Sequence, residues 1–188
     1  FVIGANGAVD VARLEMAAPD NVHISDITAG TVALGLFGPH ARKVIQKLTR
    51  DDVSHEALGY FKAKSTYLDQ VPATLWRLSY VGESGYEIYT TADFALKLWD
   101  TLMEAGTEFG IIPAGRGAYN SMRLEKGYRS YGTDMMSDHN PHEAGLAFAV
   151  RKGGGFKGAE AFEAIDPTAI KQKLVTLIFQ NQEHVTLG

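Results

Sequence analysis

A series of strand-like segments followed directly by an amphipathic helix constrains the fold more than any other feature of this sequence. Residues 62–82 (KAKSTYLDQVPATLWRLSYVG) and 86–91 (YEIYTT) are rich in β-branched and aromatic residues and are separated by a glycine-containing turn. Residues 92–106 (ADFALKLWDTLMEAG) then predict a helix that ends at Gly106. The apolar side chains of this helix share one face: Phe94, Leu98, Trp99, Leu102 and Met103.

The remaining elements mix helices and strands without strict alternation. We predict helices over 6–20, closed by Pro19, and over 39–49, with Pro39 in the first turn, and further helices over 115–127 and 157–165. We predict strands over 31–38, 128–135 and 145–151, and a closing strand after residue 172. This order of elements predicts an α+β fold, because parallel α/β folds require regular β-α alternation.

Composition excludes several function classes. The 188 residues are 45% apolar and 21% charged, as in a soluble globular domain, or one domain with a fragment of another. The 18 basic residues are spread along a chain of net charge −4, which gives no basic stripe for nucleic acid. Absence of cysteine excludes disulfide and thiol chemistry. Because the sequence begins with Phe1 and ends within a new apolar segment, we expect part of the parent protein to be missing on both sides.

An acid follows the turn between two tyrosine-bearing strands, in RLSYVGESGYEIYTT (77–91). If residues 82–85 form the loop, Tyr80 lies opposite Glu87, and directly opposed residues share a sheet face about 5 Å apart. Leu78 and Tyr89 then continue that face. A ring beside a carboxylate suits a flat heterocycle with two adjacent N–H donors. The alternative is an ordinary half-exposed cross-strand pair, and a one-residue shift would place Tyr80 and Glu87 on opposite faces.

Two other patterns do not predict binding sites. His139, His142 and Glu143 lie in HNPHE, where Asn140-Pro141 predicts a turn, and their spacing differs from helical zinc motifs, so we expect no metal. The glycines of KGGGFKG (152–158) lack the spacing of a phosphate-binding loop and predict a flexible connection.

Five segments in order resemble one known family: 36–49 (LFGPHARKVIQKLT), 79–89 (SYVGESGYEIY), 120–135 (NSMRLEKGYRSYGTDM), 140–151 (NPHEAGLAFAVR) and 156–162 (FKGAEAF). They resemble the folate-binding region of the aminomethyltransferases, the T-protein of the glycine cleavage system. The sequence around Lys126 and Gly127 is more similar to the carboxy-terminal half of flavin-dependent dimethylglycine and sarcosine dehydrogenases. The resemblance extends from Phe1 to about Val185.

The resemblance implies the T-protein folate-binding fold, an α+β arrangement of antiparallel sheets with packed helices. It implies an aminomethyltransferase-like domain over 1–170, incomplete at its amino terminus, and the start of a β-rich domain over 171–188. Tetrahydrofolate would enter a central channel. Tyr80 would stack on the folate, and Glu87 would hold the 2-amino and N3–H edge of the pterin.

Four further positions follow from the resemblance. Tyr128 would line the folate site, Phe148 would stack where some members carry tryptophan, and Asn6 matches a loop that meets the pterin. For the two aromatic residues the alternative is ordinary core packing. Tyr119 stands where many T-proteins carry an arginine that meets the folate. Because tyrosine supplies no charge, recognition of the folate carboxylates would fall to another residue, with Arg116 and Arg123 as candidates.

No catalytic residue is assigned, because the family aspartate would lie upstream of the opening FVIG and Asp10 does not match it. The implied function is one-carbon transfer to tetrahydrofolate, in an aminomethyltransferase or in the folate module of a flavin-dependent methylglycine dehydrogenase or oxidase with FAD in a missing amino-terminal domain. The donor would be a methylated amine or a lipoyl carrier, in a bacterial cytoplasm or the mitochondrial matrix. The chain is expected to be inactive by itself. The alternatives are a non-catalytic folate-binding regulator and a folate-dependent demethylase of the same fold.

Overall fold

The computed structural model describes residues 7–178 and 180, and its contacts divide the chain into two units, Phe1–Lys126 and Gly127–Gly188. The longest helix of the described residues has 12 residues, and none of their helices is long and apolar enough to span a membrane. The first unit contains, in chain order, α1 (Gly7–Ala17), β1 (Thr31–Phe37), α2 (Ala41–Leu48), β2 (Ala63–Leu68), β3 (Val71–Trp76), β4 (Gly85–Thr91), α3 (Ala95–Gly106) and α4 (Arg116–Glu125).

The strands form one antiparallel sheet in the order β1-β4-β3-β2. β2 and β3 form a hairpin whose two-residue turn begins at Asp69, with a φ of 54° that aspartate tolerates better than most residues. β4 inserts between β3 and β1, so that its residues have neighbours on both sides. The predicted α+β class with an antiparallel sheet is therefore confirmed.

One face of the sheet forms the core with α2 and α3. Alternation along β4 points Tyr86, Ile88 and Thr90 into this face, where Tyr86 and Ile88 are fully buried. The Tyr86 hydroxyl donates to the Val53 carbonyl at 3.2 Å. The helices contribute buried apolar residues spaced three and four apart, such as Val44 and Ile45 of α2 and Leu98 and Leu102 of α3. The opposite face, which we name the outer face, carries the other half of each strand.

Several predicted helix ends and faces differ from the structure. Pro39 precedes the N-cap residue His40 and is therefore outside the first turn of α2. Trp99 is 41% exposed and does not belong to the buried face of α3. Gly106 is not the cap, because a 3-10 turn follows it and Gly110, with a φ of 70°, reverses the chain. A side chain at 106 would instead meet Ile111 at 2.7 Å, so this glycine permits close packing.

The second unit contains little regular structure among its described residues. The predicted strands over 128–135 and 145–151 are wrong: the first is a turn with one bridge between Tyr131 and Met135, and the second contains a 3-10 helix, Ala147–Ala149. Side chains bind the backbone where a strand ladder would be needed, since Asp134 Oδ2 accepts from the Ser130 amide at 2.8 Å. The helix predicted over 157–165 is present as α5 (Ala159–Glu163). Residues 171–178 form no regular strand.

Candidate functional site

The outer face of the sheet centres on Glu87 of β4. Glu87 pairs with Trp76 on β3 and with Gly35 on β1, so its side chain has an indole on one side and no side chain on the other. Tyr89, two residues further along β4, continues the same face opposite Thr74. Trp76, Glu87 and Tyr89 are all half-buried. The carboxylate therefore lies on a partly covered surface and outside the packed core.

The predicted pairing of Tyr80 with Glu87 is wrong. β3 ends at Trp76, and residues 77–84 form a loop twice as long as the predicted four residues. The chain leaves the sheet because the Leu78 amide donates to the Trp76 carbonyl at 2.9 Å and the Ser79 hydroxyl accepts from the Val81 amide at 3.3 Å. Such local hydrogen bonds compete with the ladder. Tyr80 is thus a loop residue, and strand alternation does not fix its direction.

Helix α4 brings a second tyrosine to Tyr80. The Tyr119 ring lies 5.6 Å from the Tyr80 ring with an interplanar angle of 31°, within the usual range for aromatic pairs. The Tyr119 ring also lies 6.3 Å from the Phe37 ring at the end of β1. The charge of Glu87 contributes to raising the pKa of Tyr119, so this helix and β4 lie near each other. We name Trp76, Tyr80, Glu87, Tyr89 and Tyr119 the aromatic–carboxylate cluster.

The Glu87 carboxylate is bound by a phenol. The Tyr89 hydroxyl donates to Glu87 Oε2 at 2.6 Å, a length typical of an O–H donor on an ionised carboxylate. Within the described part of the chain, no lysine or arginine nitrogen lies within 4.0 Å of the Glu87 carboxylate oxygens. The other oxygen, Oε1, is therefore not committed to an ion pair with any described residue.

Two tyrosines of the cluster, Tyr89 and Tyr119, have raised pKa values. Burial raises the pKa of Tyr89, and the hydrogen bond to Glu87 and the charge of Glu87 raise it further. Burial also raises the pKa of Tyr119, with smaller contributions from Glu87 and Tyr80. Both phenols therefore remain hydrogen-bond donors at neutral pH.

Two glycines make room for the aromatic ring that borders Glu87. A side chain at Gly35 would collide with the Phe37 ring, and one at Gly85 would meet that ring and the Leu36 carbonyl oxygen, the latter at 2.6 Å. The Phe37 ring thus lies over both glycines, beside the row that contains Glu87. Glycine is required at these positions to form an aromatic border around the acid.

The other predicted site residues do not all lie in this cluster. Tyr128 is half-buried in the second unit, and Phe148 is 82% exposed there, so ordinary core packing is wrong for Phe148. Asn6 lies outside the described residues. Arg123 is 2% exposed, and its Nε donates to Asn120 Oδ1 at 2.8 Å. Arg116 is exposed at the start of α4.

The HNPHE segment forms the predicted turn. Asn140 Oδ1 accepts from the amides of His142 and Glu143 at 2.9 and 3.1 Å, and Glu143 returns a bond to the Asn140 amide at 2.9 Å. His142 stacks on Phe162 with ring centroids 5.0 Å apart. Across residues 7–178 and 180, no group of three or more metal-ligating side chains is placed to hold an ion.

Sequence reasoning missed Trp76 and Phe37. The strand pattern of β3 placed Trp76 on a sheet face, but the wrong loop length assigned its position opposite Glu87 to Tyr80. The available signal was Gly35, two residues before Phe37 on β1, together with Gly85 at the start of β4, since glycines in strands indicate a close approach by another group, here the Phe37 ring.

Fold and cluster together define an α+β protein that carries a carboxylate within an aromatic surface on the outer face of an antiparallel sheet. Residues 1–153 match the family model described as the GCVT N-terminal domain. The chain is 41% identical to human mitochondrial dimethylglycine dehydrogenase over 159 residues, which are 84% of this chain and 18% of that protein. It is 37% identical to an aminomethyltransferase of Caldanaerobacter subterraneus over 155 residues, 82% of this chain and 41% of that protein.

A solved structure gives the same result. Glycine cleavage system aminomethyltransferase T from Bartonella henselae superimposes with a TM-score of 0.68 at 29% identity, covering 84% of this chain and 42% of that one. The chain therefore belongs to the GCVT N-terminal domain family, and the resemblance stated from its motifs is confirmed. The aminomethyltransferase relatives make this a transferase-type enzyme family. The chain spans less than half the length of each of these relatives.

Proposed function

We propose that this chain is the tetrahydrofolate-binding module of a one-carbon transfer enzyme. The observation that supports it most is the half-buried Glu87 carboxylate, without an ion pair to any described residue and beside Trp76 and Tyr89, with Tyr119 near it and Tyr80 against Tyr119. Two oxygens of one carboxylate can accept both N–H bonds from the 2-amino and N3 edge of a pterin. The rings of the cluster offer stacking surface to its flat face.

The residues present fit tetrahydrofolate. A pterin edge presents donors, and Glu87 is an acceptor-only group, whereas an arginine or lysine there would repel the same edge. Tetrahydrofolate supplies the nitrogen nucleophile that takes up the one-carbon unit. The cluster would fix the orientation of that ring system and exclude water from its face, which raises the effective concentration of the acceptor near the donor. No group among the described residues is assigned to proton transfer.

We infer that the chain is part of a longer polypeptide, because it spans 18% of dimethylglycine dehydrogenase and 41% of the aminomethyltransferase. The sequence around Lys126 and Gly127 and the 41% identity to dimethylglycine dehydrogenase favour a flavin-linked parent protein. Such a parent would oxidise a small methylated amine and carry FAD in a separate domain. An aminomethyltransferase parent would receive its unit from a lipoyl carrier. The domain boundary after residue 170 and the location in a bacterial cytoplasm or the mitochondrial matrix stay predictions.

The test is a calorimetric titration of the full-length polypeptide with 5-formyltetrahydrofolate, a stable folate that keeps the pterin edge. Glu87→Gln places an amide donor against the ligand donors, and we expect affinity to fall about tenfold or more, the effect of losing a charged hydrogen-bond partner. Glu104→Gln is the matched control, because Glu104 is exposed on α3, which packs on the opposite face of the sheet. Equal affinity of Glu87→Gln and wild type contradicts the proposal.

A second ligand separates the pterin from the rest of the molecule. p-Aminobenzoylglutamate carries the tail of folate without the pterin, and we expect Glu87→Gln to leave its weak binding unchanged. A similar loss for both ligands would show that the substitution damages the fold instead of one contact.

A further inference from the structure

Tyr89 holds Glu87 by direct contact. The two side chains leave the same face of β4, two residues apart, and the phenol reaches the carboxylate at 2.6 Å. Along a strand this spacing places side chains side by side, so the hydrogen bond needs no distortion of the backbone. It restricts the rotamers of Glu87 before any ligand arrives.

The Tyr89 ring is itself held in place. It lies 5.7 Å from the Trp76 ring with an interplanar angle of 52°, and Trp76 is the cross-strand partner of Glu87. Trp76, Tyr89 and Glu87 thus contact each other in a triangle that spans two hydrogen-bonded strands. A phenol packed in this way presents its hydroxyl at a fixed point, as a supporting residue must.

The charges around Glu87 explain why a phenol is needed. Among the described residues, the titratable groups that face it are Tyr89 from β4 and Tyr119 from α4, with Tyr80 of the 77–84 loop next to Tyr119. The strands on either side present uncharged residues, Trp76 and Gly35. A half-buried carboxylate without a cation among the described residues needs a hydrogen-bond donor to offset its loss of solvation, and the Tyr89 hydroxyl is that donor.

We propose that Tyr89 is a positioning residue for Glu87: its hydroxyl fixes the carboxylate through Oε2 and leaves Oε1 and the second lone pair of Oε2 for two N–H donors of the ligand. This inference rests on the proposed function. Tyr89 does not itself contact the ligand, and it acts through Glu87. Its raised pKa keeps the donor proton in place throughout the neutral range.

The test is Tyr89→Phe in the full-length polypeptide, which removes one oxygen and keeps the ring on Trp76. We expect affinity for 5-formyltetrahydrofolate to fall about three- to tenfold at neutral pH, the scale of one charge-assisted hydrogen bond acting through its partner. We expect the weak binding of p-aminobenzoylglutamate to stay unchanged, because that ligand lacks the pterin edge held by Glu87. Tyr67→Phe, on an exposed tyrosine of β2, is the matched control.

A double-mutant cycle separates positioning from packing. If Tyr89 acts through Glu87, Tyr89→Phe has no further effect on affinity in the Glu87→Gln protein. Additive losses, an equal loss of affinity for p-aminobenzoylglutamate, or a Tyr89→Phe protein that does not fold would each overturn the positioning role. Weak binding by Glu87→Gln together with wild-type behaviour of Tyr89→Phe overturns this inference and leaves the proposed function intact. Equal binding by Glu87→Gln and wild type overturns the proposed function itself.

Discussion

Glu87 is stabilised at an unfavourable position by a neighbour that carries no charge. A carboxylate half-buried among rings would normally pair with a cation, and the phenol of Tyr89 takes that place at 2.6 Å. A cation would have neutralised the acid and competed with any ligand donor, whereas a phenol leaves its acceptor capacity largely free. At the scale of single residues, the choice of tyrosine is therefore what makes the site suitable for a donor-bearing heterocycle.

The same contact predicts alkaline behaviour. The pKa of Tyr89 is raised by burial, by its hydrogen bond to Glu87 and by the charge of Glu87. A raised pKa in the fold contributes stability that is fully present below the unfolded value, about 10, and is lost as pH rises through the folded value. Tyr86 and Tyr119, whose pKa values burial also raises, add to this loss.

Tyrosinate absorbance tests this prediction. In a titration of wild type against Tyr89→Phe at about pH 10.5, where a tyrosine in a model peptide is largely ionised, we expect no difference in the tyrosinate band. The difference should appear only when the protein unfolds at higher pH. A difference of one tyrosinate at pH 10.5 in the folded protein would show that Tyr89 is neither buried nor bonded as described.

At the scale of elements, the sequence predicts which segments are strands and helices better than how the strands pair. The periodicity of α2 and the apolar face of α3, except Trp99, are read correctly because burial imposes their spacing. The register between β3 and β4 is predicted wrongly, because it depends on where the chain leaves the sheet. That exit depends on the bond from the Leu78 amide to the Trp76 carbonyl at 2.9 Å and on the Ser79 side chain. No local pattern reports such a contact.

The glycines of β1 and β4 give a test of the outer face at this scale. Gly85→Ala would meet the Leu36 carbonyl oxygen at 2.6 Å as well as the Phe37 ring, and a strand carbonyl cannot move away without breaking the ladder. We expect a loss of about 1–3 kcal/mol of stability, as for other overpacked sites, seen as a lower thermal midpoint. Gly35→Ala should cost less, because only the Phe37 ring must turn.

Gly30→Ala is the control for both substitutions, since nothing lies within 4 Å of a side chain at Gly30. If the Gly85→Ala and Gly30→Ala proteins have the same thermal midpoint, the Phe37 ring does not lie over β4. Phe37 would then not border Glu87.

At the scale of the whole molecule, the predicted site residues belong to two separate units. Tyr80, Glu87 and Tyr119 lie in Phe1–Lys126, whereas Tyr128 and Phe148 lie in Gly127–Gly188. The first three are brought together by contacts within their unit. The roles of Tyr128, Phe148 and Asn6 stay predictions from the family resemblance. The sequence motifs identified the family, because five segments in the same order are more specific than any single motif. The contacts around Glu87 could not be predicted from the sequence, because they depend on the strand register and on loop geometry.

The central claim is that Glu87 and the rings around it bind one pterin. A crystal structure of the full-length polypeptide with 5-formyltetrahydrofolate tests it most directly, through the distance from pterin N3 to the nearer Glu87 carboxylate oxygen. We predict about 2.7–3.0 Å, a charge-assisted hydrogen bond, with the 2-amino group on the other oxygen. A pterin bound elsewhere, with Glu87 still holding only Tyr89, would contradict the account.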